Sequence, residues 1–266
     1  MNKKGRFGFF MANAYVRRNK IFEILKQEGA VQVEKLSETL GVSSVTIRTD
    51  LNFLEKSDAL VVRCHGGAVY EAERNAVDIP LADKQGINTD IKVKLAKAAA
   101  ALIQDGDAVL LDNGSTIDLI SRELDDKRDL AVMTNSLESA YRLKDAKNVK
   151  LMIVGGNVRP NSHSAYGSFA ESYILEHRFD KLFLGVDGFD LDIGITTPNT
   201  DEASINRAMV KVSKEVIVVT DSSKFNKRSY CSICDISRIS KLVTDNNIST
   251  EIRVKIEAQG IEVITV

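Results

Sequence analysis

Apolar residues recur at helical spacing in three segments near the start of the chain. Each segment is predicted to form a helix that buries one face. The apolar positions are Ile21, Phe22, Ile24 and Leu25 in residues 16–28, Val33, Leu36 and Leu40 in residues 33–40, and Ile47, Leu51 and Leu54 in residues 43–54. Gly41 favours a tight turn between the second and third helices. The pattern therefore predicts a helix-turn-helix, with Ser43 or Ser44 capping the third helix.

Short apolar runs at residues 60–63 and 68–69 flank the sequence Cys-His-Gly-Gly. They predict two strands of a hairpin, or wing, that completes a unit over residues 15–70. Residues 71–88 are polar, contain Pro80 and lack sustained periodicity, so we expect a linker there. Residues 1–14 are expected to be an N-terminal extension, with Met11 as an alternative start.

From residue 89 onwards, continuous apolar runs alternate with helical patterns. Strands are predicted at residues 109–111, 131–133, 151–154, 181–186, 216–219, 242–243 and 263–265, and helices at residues 89–103, 117–124, 137–144, 169–177, 202–214 and 251–259. This alternation predicts an α/β domain over residues 89–266, with a largely parallel sheet covered on both faces. Ligands on such sheets bind beyond the C-terminal ends of the strands.

Small and polar residues follow these strands where each one ends. Asp112 to Thr116 reads Asp-Asn-Gly-Ser-Thr and leads into a helix, so its free N–H groups and hydroxyls suit a phosphate. Similar polar stretches follow other strands at residues 134–136, 155–157, 187–190 and 220–225. Any one of these loops could equally be a turn. Together they offer hydroxyls, amides, carboxylates and one lysine, which suits a polyhydroxylated anion.

Length, charge and cysteine content fit a two-part soluble protein rather than a secreted or membrane protein. The 266 residues have a net charge of −1, but residues 1–67 carry eleven Lys or Arg and seven Asp or Glu, a net charge of +4. Positive charge therefore concentrates on the helix-turn-helix, as DNA binding requires. No secretory signal and no apolar run near twenty residues is present, so we expect a cytoplasmic protein. Cys231 and Cys234 lack a second pair, and neither a metal nor a cofactor is expected.

The N-terminal pattern resembles the winged helix-turn-helix of the DeoR family of bacterial transcriptional repressors. The resemblance rests on Thr46-Ile47-Arg48, Asp50-Leu51 and the run Arg-Cys-His-Gly-Gly-Ala from Arg63 to Ala68. It implies binding of double-stranded operator DNA through Arg17, Ser43, Ser44, Val45, Thr46, Arg48, Thr49, Arg63 and His65. Arg48 is expected to read a guanine edge or a flanking phosphate. The alternative is a solvated charge or an ion pair with Asp50 or Glu55. The family usually has a basic or amide residue at the position of Thr49, so its base preference is not carried over.

Residues 89–266 resemble the sugar-phosphate sensor domain of the same family, which is similar to ribose-5-phosphate isomerase and glucosamine-6-phosphate deaminase. The resemblance implies that the effector is bound by Asp112, Asn113, Gly114, Ser115, Thr116, Thr134, Asn135, Asp187, Glu202, Asp221 and Lys224. Residues 154–159, 183–187 and 220–226 are most similar to the amino-sugar members. The expected protein is a homodimer or homotetramer that represses a carbohydrate operon and responds to a phosphorylated sugar.

The same resemblance raises the alternative of an active isomerase or deaminase, because Asp187-Gly188-Phe189-Asp190 keeps the acidic positions of the isomerase segment Asp-Gly-x-Asp. The deaminases carry histidine where this chain has Phe189. The lysine and glycine-rich stretch of the isomerases is replaced by residues 195–198. Without the proton-transfer group, catalysis falls by about a hundredfold to ten-thousandfold, so binding without turnover is expected and no catalytic residue is assigned.

Overall fold

The computed structural model describes residues 14–28, 30–57, 61–64, 66–70 and 78–266. The chain divides into two compact units, with the boundary between residues 77 and 78. We call the first unit the head and the second the sensor unit.

The described residues of the head form three helices and three short strands: α1 (Ala14–Glu28), β1 (Ala30–Gln32), α2 (Val33–Leu40), α3 (Ser44–Ser57), β2 (Val61–Cys64) and β3 (Gly67–Tyr70). The predicted apolar faces meet in one core that includes Ile21, Leu36, Leu40, Ile47 and Leu51. Gly41 ends α2 in the left-handed conformation, with φ of 64°. The predicted helix-turn-helix is confirmed.

The predicted wing is also present, as the antiparallel pair of β2 and β3. The sequence did not predict β1, which pairs antiparallel with β3 and joins the helices to the wing. Gly67 permits this pairing, because a Cβ atom there would lie 2.0 Å from the carbonyl oxygen of Val31. The wing is thus hydrogen-bonded to the segment that leads into α2.

The sensor unit is built on a parallel sheet of seven strands, in the order β15-β14-β12-β9-β4-β5-β6. These strands are β4 (Ala108–Leu111), β5 (Leu130–Thr134), β6 (Val149–Ile153), β9 (Phe179–Leu184), β12 (Ser213–Val219), β14 (Lys241–Thr244) and β15 (Glu262–Thr265). In chain order, β4, β5 and β6 lie side by side in one direction across the sheet. Strand β9 then lies on the other side of β4. Loops that leave β4 and β9 therefore open a crevice at the switch point.

Helices cover both faces of this sheet: α5 (Thr89–Ala101), α6 (Ile117–Ile120), α7 (Leu137–Leu143), α8 (Ser168–Leu175), α9 (Thr200–Val212) and α10 (Thr250–Glu257). Successive strand residues alternate between two apolar layers. Leu110, Leu182 and Val218 pack with α8, α9 and α10. Leu111, Phe183 and Val219 pack with α5, α6 and α7. The predicted α/β fold, covered on both faces, is confirmed.

Two small antiparallel sheets were not predicted. One contains β7 (Asn157–Arg159) and β8 (Ser164–Tyr166), and the other contains β10 (Gly188–Asp190), β11 (Gly194–Thr197) and β13 (Cys231–Cys234). Cys231 is buried in β13, and burial raises the pKa of the Cys234 thiol to about 11. A thiol with so high a pKa is a poor nucleophile.

The predicted linker over residues 71–88 is wrong for residues 78–88, which belong to the sensor unit. They contain the short helix α4 (Leu81–Gln85), whose Leu81 is buried. The backbone N–H of Leu81 donates to the carbonyl oxygen of Asn161 at 2.6 Å. A single apolar contact and one turn of helix leave no periodicity, which is why this segment resembled a linker. Among the helices described, none has both the length and the apolar character that a membrane span needs.

Candidate nucleic-acid interface and ligand cavity

The first turn of α3 exposes polar side chains while its other face is buried. Thr46 N–H donates to the hydroxyl oxygen of Ser43 at 3.2 Å, which caps the helix. Ile47 is fully buried, whereas Val45 is 69% exposed and Thr49 is exposed. Ser44 and Thr46 are half-buried beside them. The predicted reading face is thus presented to solvent.

Arg48 lies on this face and is half exposed. Its Nη2 atom is 3.5 Å from Oε1 of Glu34 on α2, rather than beside Asp50 or Glu55. Exposed pairs of this kind contribute about 0 to 1 kcal/mol. The guanidinium can therefore leave Glu34 for a DNA group at little cost.

Arg17 is not on the reading face, and its assignment to DNA binding is corrected here. It is 6% exposed, and its Nε atom lies 2.5 Å from Oδ2 of Asp50. Arg18 also pairs with Asp50, at 2.8 Å. The sequence pattern identified Arg17 as basic but could not show that α1 turns it toward α3. The predicted contact His65 and the side chain of Arg63 lie outside the described part of the structure.

A cavity opens in the sensor unit beyond the ends of β4, β9 and β12. Eight of the eleven predicted effector residues line it: Asn113, Gly114, Ser115, Thr116, Asp187, Glu202, Asp221 and Lys224. The structure therefore brings together the polar loops of three adjacent strands. Side chains missed by the sequence analysis also line it, including Asp78, Lys84, Lys92, Asn161, Ser162, Thr197 and Ser223.

One end of the cavity is cationic. Lys84 Nζ lies 2.7 Å from Oδ1 of Asp187, and Lys224 Nζ lies 3.6 Å from the same oxygen. Lys92 donates from its ammonium to the backbone carbonyl oxygen of Lys84. The cavity lining as a whole carries three lysines and four carboxylates, Asp78, Asp187, Glu202 and Asp221, so its cationic character is local to the three lysines.

The buried ammonium of Lys92 has an unusual protonation equilibrium. Its pKa is lowered to about 8, chiefly by burial; the charge of Asp221 opposes this shift, and the charges of Lys224 and Lys84 add to it. No carboxylate among the described residues lies within ion-pair distance of Lys92. A bound anion would supply the missing counter-charge.

Asp187 remains a carboxylate between the lysines. Burial raises its pKa, but the charges of Lys84 and Lys224 lower it further than burial raises it, and the net direction is downward. A carboxylate with a depressed pKa is a weak general base.

Arg159 pairs with two further carboxylates that line the cavity. Its Nη1 atom contacts Oε2 of Glu202 at 2.8 Å, and its Nη2 atom contacts Oδ2 of Asp78 at 2.6 Å. Asn161 Nδ2 lies 3.5 Å from the same oxygen of Asp78. One guanidinium between two carboxylates leaves this group of side chains with a net negative charge and rich in acceptors, which suits hydroxyl donors.

Three predicted effector residues do not line the cavity. Thr134 is fully buried, and its hydroxyl oxygen accepts the N–H of Ser136 at 3.0 Å. Asn135 Nδ2 donates to Oδ1 of Asn113 at 3.1 Å, so Asn135 supports the β4 loop from behind. Thr134 ends β5 and Asn135 follows it, and β5 lies outside the crevice between β4 and β9.

Asp112 is the third residue that does not reach the cavity. Its Oδ2 atom accepts the N–H of Gly185 at 3.3 Å, which joins the ends of β4 and β9. Burial raises the pKa of Asp112 well above its usual range, and the charge of Glu202 adds to this. The Asp112 side chain is 1% exposed, so it supports the loop after β4 from inside the protein rather than lining the cavity.

The head and the cavity define a winged helix-turn-helix protein with an α/β ligand-binding unit. Residues 17–74 match the family model of the DeoR-like helix-turn-helix domain, and residues 87–246 match the DeoR C terminal sensor domain. The chain belongs to the DeoR family of transcriptional regulators.

Two relatives illustrate the similarity. The chain is 44% identical to an aga operon transcriptional repressor of Escherichia coli O157:H7, over 94% of this chain and 93% of that protein. It is 31% identical to the glycerol-3-phosphate regulon repressor of Escherichia coli K12, over 86% of this chain and 90% of that protein.

A ribose 5-phosphate isomerase A structure from Methanocaldococcus jannaschii aligns with a TM-score of 0.39 at 21% identity, covering 53% of this chain and 56% of that one. A likeness at that level says nothing about the chemistry of the cavity.

Proposed function

We propose that this protein represses a carbohydrate operon, one for amino-sugar catabolism, and that a phosphorylated sugar in the cavity controls its affinity for operator DNA. The observation that carries the proposal is the convergence of Lys84, Lys92 and Lys224 on the cavity that the loop of Ser115 also lines. The names of the two relatives, an aga operon repressor and a glycerol-3-phosphate regulon repressor, support a regulator of carbohydrate genes.

A phosphate would bind at the cationic end. Ser115 and Thr116 supply hydroxyls there, and Gly114, with φ of 134°, adopts a conformation that favours glycine. Ammonium groups make charge-assisted hydrogen bonds to phosphate, which are about twice as strong as neutral ones. The hydroxyls of the sugar would face Glu202 and Asp78, the two carboxylates that pair with Arg159.

The catalytic alternative is poorly supported by the residues of the Asp-Gly-x-Asp segment. Phe189 is buried, and its ring packs edge to face against Phe225, with centroids 5.1 Å apart. Asp190 pairs with Arg228 at 2.7 Å, and Asp187 is the acidic member of this segment that lines the cavity. Binding without turnover is the function that this arrangement favours.

We further propose that paired heads bind operator half-sites from a homodimer or homotetramer in the cytoplasm. The net charge of +4 on residues 1–67 is modest for a DNA-binding unit. Two heads double the phosphate contacts and lengthen the site that is read. The sensor unit would carry the contacts between copies.

A binding screen tests the proposed effector class. The full chain is titrated by calorimetry with galactosamine 6-phosphate, N-acetylgalactosamine 6-phosphate, fructose 6-phosphate, ribose 5-phosphate and glycerol 3-phosphate. The unphosphorylated sugars and inorganic phosphate serve as controls. We expect at least one phosphosugar to bind well above both controls and to change the affinity for a duplex selected from random sequences by this protein. Binding by none of them would contradict the proposal.

The same samples distinguish a sensor from an enzyme. NMR spectra recorded over hours should show bound phosphosugar without interconversion of aldose and ketose or release of ammonia. Steady product formation that disappears in Asp187→Asn would instead show an isomerase or deaminase attached to a DNA-binding head.

A further inference from the structure

Residues 78–88, which we call the docking segment, lie between the head and α5 in the chain and form part of the cavity wall. Asp78, Leu81 and Lys84 line the cavity directly. Residue 78 also marks the start of the sensor unit, immediately after the boundary with the head. Whatever occupies the cavity therefore touches the stretch of chain through which the two units are covalently joined.

Ion pairs and hydrogen bonds hold the docking segment against the sensor unit. Asp78 pairs with Arg159 at 2.6 Å, and Leu81 N–H donates to the carbonyl oxygen of Asn161 at 2.6 Å. Lys84 pairs with Asp187 at 2.7 Å, and its backbone carbonyl oxygen accepts from the ammonium of Lys92. The contacts of Lys84 with Asp187 and Lys92 lie at the cationic end of the cavity. An anion bound there would therefore interact with the same groups that hold the docking segment in place.

Docking of the segment places like charges close together. Lys84 joins Lys92 of α5 and Lys224, which follows β12, and the charges of both Lys84 and Lys224 disfavour protonation of Lys92. Asp187 is shared between Lys84 and Lys224, and the charge of Asp221 favours the protonated form of Lys92, but the pKa of Lys92 stays lowered. An anion bound among the three ammonium groups would offset the remaining repulsion and add a bridge from Lys84 to the body of the unit.

We propose that an anionic ligand strengthens the docking of residues 78–88. Lys84 is the side chain of that segment that contacts the bound anion. The proposal rests on the proposed function, because it concerns regulation through the same cavity. Linkage makes the effect reciprocal: a ligand that favours the docked segment is itself bound more tightly when the segment is docked. Binding of a ligand in the cavity thereby changes the stability with which the segment leading to the head is docked.

Amide hydrogen exchange of the full chain tests this coupling, with galactosamine 6-phosphate and inorganic phosphate as probes. With saturating galactosamine 6-phosphate, we expect exchange in residues 81–88 to slow about tenfold, alongside slowing in residues 112–116. Inorganic phosphate at a concentration that gives the same occupancy should slow the same two stretches. Unchanged exchange in residues 81–88 together with slowed exchange in residues 112–116 would overturn the coupling and leave the ligand site intact.

Two variants isolate the role of Lys84. In Lys84→Gln, saturating galactosamine 6-phosphate should still slow exchange in residues 112–116 but should no longer slow it in residues 81–88. Lys94→Gln, an exposed change on α5, should respond like the wild type. Slowing of residues 81–88 that persists in Lys84→Gln would remove Lys84 from the mechanism. Absence of any heat and any change in exchange with every phosphosugar would overturn both this inference and the proposed function.

Discussion

The guanidinium of Arg17 is buried against the carboxylate of Asp50, so that helix α1 is attached to the recognition helix α3 by an ion pair shielded from water. Removing one partner of a buried pair leaves the other without its counter-charge. The position of α3, and with it the reading face, therefore depends on a buried residue of α1.

Arg17→Ala should destabilise the head by roughly 3 kcal/mol, the lower end for a broken buried pair, because Arg18 still pairs with Asp50. Urea denaturation followed by amide exchange of residues 21–54 measures this in the full chain. Arg18→Ala, at a more exposed position, is the matched control and should cost less. Weakened operator binding with unchanged stability would show that Arg17 contacts DNA after all.

Arg48→Ala should cost about 1 to 3 kcal/mol of specific operator binding, while thermal stability stays nearly unchanged. The pair that it forms with Glu34 is exposed and contributes little to folding. Fluorescence anisotropy at several salt concentrations distinguishes the two possible contacts. A lost base contact relaxes preference at one operator position, whereas a lost phosphate contact lowers the salt slope by about one unit. Unaltered affinity at matched salt would exclude Arg48 from the interface.

Ser115→Glu should abolish phosphosugar binding, because it places a carboxylate in the loop that we expect to hold the phosphate. Ser115 is half-buried, so the longer side chain fits without loss of the fold. Operator affinity without ligand should remain at the wild-type value, which gives a regulator that does not respond to its effector. Ser172→Glu, on the exposed side of α8, adds the same charge elsewhere and should leave the response intact. A normal response in Ser115→Glu would place the phosphate site elsewhere.

Phosphosugar binding near pH 8 should take up protons at Lys92. Its pKa in the free protein is about 8, mainly because of burial, and a bound anion raises it. Near pH 8 about half of the free molecules have a neutral Lys92, and binding charges it, so uptake approaches about half a proton. Below about pH 7 the lysine is already charged and contributes no uptake, and affinity should fall as the pH rises through 8.

Calorimetry in buffers of different ionisation enthalpy measures this uptake directly. The phosphate group of the ligand has a second pKa near 6 and is already a dianion at pH 8, so it does not contribute. Lys92→Arg keeps the positive charge at every pH of the experiment and should bind without the uptake. Equal uptake in the wild type and in Lys92→Arg would assign the proton to another group.

The sequence predicted the main sheet and its helices because continuous apolar runs and helical stripes are strong local signals. Strands β1, β7 and β10 have three residues each, too few for any alternation to stand out. Their position depends on distant partners instead. Strand β1, for example, exists because Val31 pairs with Ala68, more than thirty residues away, and because Gly67 leaves room for it.

The ligand cavity could be predicted only in part, for a related reason. The rule that ligands bind beyond strand ends located the loops after β4, β9 and β12, but it does not say which strands are neighbours, so Thr134 and Asn135 were included although β5 lies outside the crevice. Lys92 did carry a local signal. It precedes Leu95, Ala96 and Ala99 at helical spacing, so a lysine occupies the buried stripe of α5. Lys84 carried none, since its role depends on contact with Asp187.

The ammonium of Lys92 has a backbone carbonyl as its hydrogen-bond partner. This arrangement affects which metabolic state of a cell the protein would respond to. A neutral sugar that entered the cavity would leave that charge uncompensated and would bind with little advantage. Only after phosphorylation would the same sugar satisfy the lysine. A regulator built in this way would ignore a nutrient that is merely present and would respond once the cell has committed it to metabolism.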